Sequence, residues 1–338
     1  MINQKSNIAI RLDQLSVGYQ KGNSKLEILG GLNASIKHGE LVCLVGENGV
    51  GKSTLLRSIA GVQKPLSGQV LVDNKPVNDY AAPDLARTIS LVLTDRIFAG
   101  NLTVKEIVAL GRHPYTNWLG KLEQKDVDKI DWALDITDIH KISDRIISEL
   151  SDGQFQKTLI ARALAQDGDI IILDEPTAHL DLSNKIIILK LLKDLSNETG
   201  KAILIATHEI EFSFQVADKI WIALKDKNLK EGTPEDLVLD GSLNQMINHN
   251  AINFDSDHGR FMVNYSYIKS CNLKGDKLAY YWTSNALRRN GWEVINEISE
   301  TTITIRKGKS GYEWDLTHQG NVTIVYSIEE LVNVINNN

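Results

Sequence analysis

Short apolar runs of strand length punctuate the chain. Leu41–Val45, Ile89–Leu93, Ile170–Leu173, Ala202–Ala206 and most of Lys219–Leu224 lack the polar alternation of a half-solvated strand. Continuous apolarity of this kind suits strands covered on both faces of a parallel sheet. Between the runs the apolar spacing turns helical: Leu55–Ala60, then Val104, Ile107, Val108 and Leu110, then Val127, Ile130, Ala133 and Leu134, and later Ile186–Leu195. The stretch from Thr103 to Leu164 therefore reads as a mostly helical insertion. Nearer the start, Ile8, Ile10 and Leu12 alternate with polar neighbours, so Ile8–Tyr19 is predicted as a pair of short strands. Leu26–Ile36 follows as another strand region, and Gln69–Val72 as one more after the breaker Lys64-Pro65-Leu66-Ser67-Gly68. Strands alternating with helices predict an α/β fold with a mostly parallel sheet, helices on both faces and an antiparallel β part.

From Asp240 to Asp257 the pattern is lost in Asn, Asp and Ser, which reads as a linker. The C-terminal stretch, 255–338, carries Trp282, Trp292, Trp314 and six of the nine tyrosines, enough aromatic area for a small separate core. Arg260–Ile268, Trp292–Ile298, Thr301–Arg306, Tyr312–Leu316 and Val322–Tyr326 read as strands, and Leu278–Arg289 as a helix. A closing helix starts at Ser327, which has capping-box spacing to Glu330. The predicted organisation is a first domain over 1–240, a linker over 241–254 and a small C-terminal α+β domain over 255–338.

The chemistry concentrates behind the Leu41–Val45 strand. Gly46-Glu47-Asn48-Gly49-Val50-Gly51-Lys52-Ser53-Thr54 joins that strand to the next helix. Strand, glycine turn and helix in this order let backbone N–H groups wrap an anion at a helix start. Lys52 adds a point charge for terminal phosphates, and the Ser53 hydroxyl suits a magnesium ion. A second helix start, Ser151-Asp152-Gly153-Gln154, has capping-box spacing and would alone be an ordinary cap. Asp174 and Glu175 end the Ile170–Leu173 strand; the first suits a magnesium shell, the second the polarising of a water for attack on a γ-phosphate. His208 ends the Ala202–Ala206 strand region and can reach a γ-phosphate. Asp181, after Ala178-His179-Leu180, reads as a helix cap.

Composition narrows the setting. Over 338 residues, 42% are apolar and 24% charged, ordinary for a globular protein of about two domains. A net charge of -6 counts against a nucleic-acid binder. The two cysteines, Cys43 and Cys271, are far apart and form no metal or disulfide pattern, which fits a reducing compartment. The first residues hold no signal-peptide core, and nothing approaches a membrane-spanning run. A membrane role is expected to come through partners.

Taken in order, these segments resemble the ATP-binding cassette ATPases. GENGVGKST is similar to their Walker A motif, LSDGQ to the signature, IIILDE to Walker B, AHLD to the D-loop and His208 to the switch histidine. The resemblance spans about 230 residues and implies a P-loop NTPase cassette using ATP and magnesium. It implies a head-to-tail homodimer, with each ATP held by Lys52, Ser53 and Asp174 of one subunit and capped by Ser151 and Gly153 of the other. Tyr19 matches the aromatic that stacks on adenine. The family's glutamine after the Ile89–Leu93 strand is missing: Thr94-Asp95 stands there, and Asp95 or Thr94 is expected to sense the metal instead. Leu102 to Tyr115 and the aspartate of LSDGQ resemble the subgroup that serves ferric-siderophore, haem and cobalamin importers. That implies a peripheral ATPase on the cytoplasmic face of the inner membrane, meeting a permease through Leu102–Trp118 and a substrate-binding protein indirectly. An exporter ATPase, and a soluble cassette acting on nucleic acid or ribosomes, stay open as alternatives. So does a ligand-gated role for the tail.

Overall fold

The structure is a computed structural model that describes residues 7–22, 24–93, 101–117, 120–246, 252–256, 259–308 and 311–337. Among these, no helix is long and apolar enough to cross a membrane. The chain divides into two compact units: Met1–Asn248 with Phe254–Arg260, and His249–Asn253 with Phe261–Asn338.

The first unit is built on a six-stranded sheet. Its strands run in the order Leu229–Gly232, Lys219–Ala223, Leu41–Val45, Ala202–Ala206, Ile170–Asp174 and Ile89–Val92. All neighbours are parallel except the Leu229–Gly232 edge. The three central strands are buried at every position. Their unbroken apolarity is what a sheet covered on both faces demands, each enclosed Ile or Leu contributing about 1.5–3 kcal/mol. One face, including Val42, Leu44, Ile172 and Leu204, shares a core with the helix Lys52–Ile59 and a second, antiparallel sheet. That sheet runs Ser24–Lys37, Ile8–Lys21, Ser67–Val72 and Lys75–Pro76. Helix Leu182–Thr199 packs on the Leu41–Val45 and Ala202–Ala206 strands.

Two short strands were expected over Ile8–Tyr19, but Ile8–Lys21 is one strand of 14 residues. Its pairing with Ser24–Lys37 shifts register between Leu12 and Leu15, where Gln14 takes a φ of 47° and its N–H donates to Asn33 Oδ1. The bulge flips the apolar alternation by one position, which in the sequence imitates a strand break. The helical part comprises Val104–Ala109, a 3₁₀ turn over Leu110–Tyr115, Gln124–Ile136 and Asp152–Ala165. Thr103 and Glu106 form a reciprocal capping box at its entrance.

The second unit carries a five-stranded sheet in the order Trp292–Ile295, Lys269–Lys274, Thr301–Lys307, Tyr312–His318, Asn321–Val325. Helices Lys277–Arg289 and Ile328–Asn337 accompany it, and Cys271, Leu273, Leu287, Trp292, Ile303, Trp314, Leu316 and Leu331 make the core. Ser327 Oγ accepts from the Glu330 N–H, as its spacing predicts, while Glu330 reaches the Tyr326 N–H. The expected strand Arg260–Ile268 is instead Arg260–Val263, with Lys269–Lys274 as a separate strand. Lys269–Lys274 offers only Cys271 and Leu273 as apolar positions, and the buried Asn272 between them donates its side-chain amide to Ile295 O and Glu297 O. Within the stretch expected as a linker, Ser242–Met246 is helical and Ile252–Asp255 is a strand.

Candidate nucleotide site

The sheet order brings three chemistry-bearing strand ends side by side. Ala202–Ala206 lies between Leu41–Val45 and Ile170–Asp174, so the glycine turn, His208 and the Asp174-Glu175 pair leave neighbouring strands at their carboxyl ends. Ligands of open α/β sheets bind at such ends. The backbone locks the register there: the Thr207 N–H donates to Leu44 O at 3.0 Å and the Glu175 N–H to Ala206 O at 2.8 Å.

Gly46, Glu47, Asn48, Gly49 and Val50 form the turn, and Gly51 opens the helix Lys52–Ile59. Gly51 has a φ of 112°, and a Cβ there would stand 2.4 Å from Ile28 Cγ2. Gly49, with a φ of 82°, has nothing within 4 Å of its Cβ position. One glycine is thus demanded by packing and backbone together, the other by backbone alone. No side chain caps this helix start, which leaves its first N–H groups to an anion.

Lys52 is buried, and its Nζ donates to Gly46 O at 2.8 Å and Glu47 O at 3.2 Å. Burial pushes the ammonium below the usual lysine value, against the pull of Glu175 and Asp174. Ser53 is exposed on the first turn, while Thr54 is buried. The Thr54 Oγ1 lies 3.2 Å from the hydroxyl of Tyr19, whose side chain is half exposed beside the glycine turn. Asp174 is buried at its strand end, and Glu175 follows with a left-handed φ of 51°. Strained backbone of this sort persists where surrounding structure enforces it, here the hydrogen bond to Ala206. His208 Nδ1 is 3.6 Å from Glu175 Oε2.

The helix start at Ser151 is a reciprocal capping box: the Gln154 N–H donates to Ser151 Oγ, and the Ser151 N–H to Gln154 Oε1. Gly153 lies against Asn184, where a Cβ would be 3.2 Å from the side chain. Asn184 is held by Asp181, which caps helix Leu182–Thr199. Ser151, Gly153 and Gln154 line one cleft with Asn184, Lys141 and Lys157, in which no residue of the glycine turn takes part. Asp152 faces a different cleft, shared with Leu93, Phe155, Asp174, Glu175 and His179. Thr94 and Asp95 lie outside the described residues, as does Trp118.

Two features have no counterpart in the sequence reading. Lys185, four positions past Asp181, pairs with Glu209, the residue after His208. Arg112, in the stretch expected to face a permease, is buried in an ion pair with Asp126 and donates to Ala165 O. Adjacency to His208 was the available signal for Glu209; nothing local marks the other pair.

Residues 29–178 match the family described as ABC transporter, and residues 269–336 match the Iron ABC transporter C-terminal domain. An uncharacterised ABC transporter ATP-binding protein of Methanocaldococcus jannaschii is 37% identical over 261 residues, covering 77% of this chain and 89% of its own length. The ferric enterobactin transport ATP-binding protein of Escherichia coli K12 is 33% identical, over 68% of this chain and 83% of its own. A dimeric structure of a bacterial ABC transporter cassette superposes with a TM-score of 0.59 at 30% identity, over 67% of this chain and 98% of that one. With likeness of this degree over most of each relative's length, the chain belongs to the ATP-binding proteins of ABC transporters and is an ATPase.

Proposed function

We propose that the chain drives an importer of ferric siderophores or a related metal chelate, haem or cobalamin, working as a homodimer peripheral to the cytoplasmic face of the inner membrane. The observation that carries the cargo is the match of residues 269–336 to an iron-transporter C-terminal domain on the same chain as the cassette. The ferric enterobactin relative supports the same reading. Residues 1–240 act as the motor and 255–338 as an appended module joined through 241–254.

ATP is the substrate, and the donor set suits magnesium. Ser53 offers an exposed hydroxyl and Asp174 a carboxylate, both hard oxygen ligands, with phosphate oxygens to complete the shell. Bound there, magnesium would neutralise charge between the outer phosphates. The turn from Gly46 to Gly51 wraps the phosphates with N–H groups, Lys52 adds its ammonium, and Tyr19 stacks on adenine. Glu175 orients a water and takes its proton, and His208 holds the γ-phosphate side. Ser151, Asp152, Gly153 and Gln154 close over the nucleotide of the second copy, with Asp181 at the seam. Asp95 or Thr94 senses the metal. Release of phosphate opens the pair, and the Leu102–Trp118 surface passes the motion to the permease.

Glu175→Gln is expected to keep ATP affinity and lose turnover by at least about a hundredfold, as removal of a general base does. Near-normal turnover would remove Glu175 from that role. Uptake of ⁵⁵Fe-siderophore, haem and cobalamin by cells without the chain tests the cargo. Loss of one of the three is expected; intact uptake of all would overturn the importer reading.

A further inference from the structure

The turn that carries His208 is tied by one ion pair to the helix behind Asp181. The Glu209 side chain is 15% exposed and that of Lys185 is 22% exposed. The Lys185 ammonium donates to Glu209 Oε1. That same oxygen lies 3.4 Å from His208 Nε2, while the other ring nitrogen faces Glu175. Lys185, Glu209, His208 and Glu175 thus stand in a row. The main chain is fixed at both ends of it. The Lys185 N–H donates to Asp181 O at 3.0 Å, and the Glu209 N–H to Thr207 Oγ1 at 3.0 Å. Glu209 O accepts from both the N–H and the hydroxyl of Ser213. With its backbone held, the Glu209 carboxylate keeps only its own torsions, and Lys185 is the cation that sets them.

We propose that the Lys185–Glu209 pair is a positioning device: it fixes the His208 ring against Glu175 and carries any movement of the Asp181 turn to the hydrolytic end of the site. The inference rests on the reading of Glu175 and His208 as hydrolytic residues. An imidazole is oriented by whatever faces its far nitrogen, and here that is a carboxylate held by a charge-assisted bond in partly desolvated surroundings. Without the cation, the carboxylate turns to solvent and the ring loses its stop on the Nε2 side. Neither Lys185 nor Glu209 belongs to the glycine turn, so the effect falls on turnover and not on nucleotide affinity. Because Lys185 sits one turn past Asp181, a second copy pressing on the Asp181 turn would act through the same lysine.

Steady-state ATPase assays of the full chain test this with Lys185→Ala, Glu209→Gln, their double variant and Lys185→Arg, alongside Glu175→Gln. Lys185→Ala and Glu209→Gln should each lower kcat about tenfold, as a misplaced catalytic group does, with KM for ATP within about twofold of the parent. The melting temperature should stay put, the double variant should be no slower than the slower single one, and Lys185→Arg should recover most of the rate. Unchanged kcat, a loss confined to KM or melting temperature, or additive losses would each overturn the proposal. Normal turnover by Glu175→Gln would instead overturn the hydrolytic reading beneath it.

Discussion

Arg112 shows how a residue can look functional in sequence and be structural in the fold. It lies within the stretch whose motif resembles the permease-facing part of importer ATPases, yet its side chain is enclosed. It pairs with Asp126 at 2.8 Å, stacks 3.9 Å over the Tyr115 ring and satisfies the Ala165 carbonyl near the end of helix Asp152–Ala165. Burial pushes the Asp126 carboxyl up, but the Glu123 N–H and the Arg112 guanidinium outweigh that and hold it below the usual carboxylate range. Arg112→Ala strands a buried carboxylate and should cost about 3 kcal/mol, read from urea unfolding. A group whose folded pKa is depressed stabilises the fold above its unfolded value. The Asp126 contribution should therefore be complete well above 3.8 and drain away as the pH falls below it. In Arg112→Ala that acid-side loss should shrink. The placement of Lys52, Asp174 and His208 at or just past neighbouring strand ends was legible because each follows an unbroken apolar run. The Arg112–Asp126 and Lys185–Glu209 pairs were not, since each joins segments whose proximity only the folded chain creates.

Elements with strong periodicity were legible for a simple reason: their pattern has one solution. The strands Leu41–Val45, Ile170–Asp174 and Ala202–Ala206 are buried throughout, and apolar throughout except for the acid that ends the second. Weaker signals failed where burial is partial. Ala82–Thr88 has no buried residue, Leu229–Gly232 is a sheet edge, and both escaped the sequence reading. The helical element over Val104–Tyr115 divides sharply. Val104, Ile107, Val108, Gly111 and Arg112 are buried, whereas Lys105, Glu106, Leu110 and His113 face out. Gly111 leaves no room for a side chain, since a Cβ would stand 2.2 Å from Arg162 O. Leu110, half exposed, is the apolar knob of the outer face. Leu110→Asp should leave the ATPase rate of the isolated subunit within about twofold, a surface change having little effect on the fold. It should abolish co-purification with the permease, because a charge in an apolar contact is costly to desolvate. Retained co-purification would move the contact elsewhere.

At the scale of the molecule, two cores of different kind share one chain: a parallel sheet that carries phosphate chemistry, and a smaller aromatic-rich sheet with two helices. Both buried cysteines, Cys43 and Cys271, have thiols pushed up to about 12 by burial, so neither is poised for redox chemistry. On the proposed reading, one copy is an incomplete enzyme. Ser151, Gly153 and Gln154 line a cleft of their own, without any residue of the glycine turn. On that reading, they meet the phosphates of a nucleotide held by a second copy. The most direct measurement is the mass in solution of the Glu175→Gln protein with and without magnesium ATP, by light scattering. The account expects monomers without nucleotide, dimers with ATP, and monomers again when Ser151→Arg blocks the helix start. A protein that binds ATP and stays monomeric would contradict it.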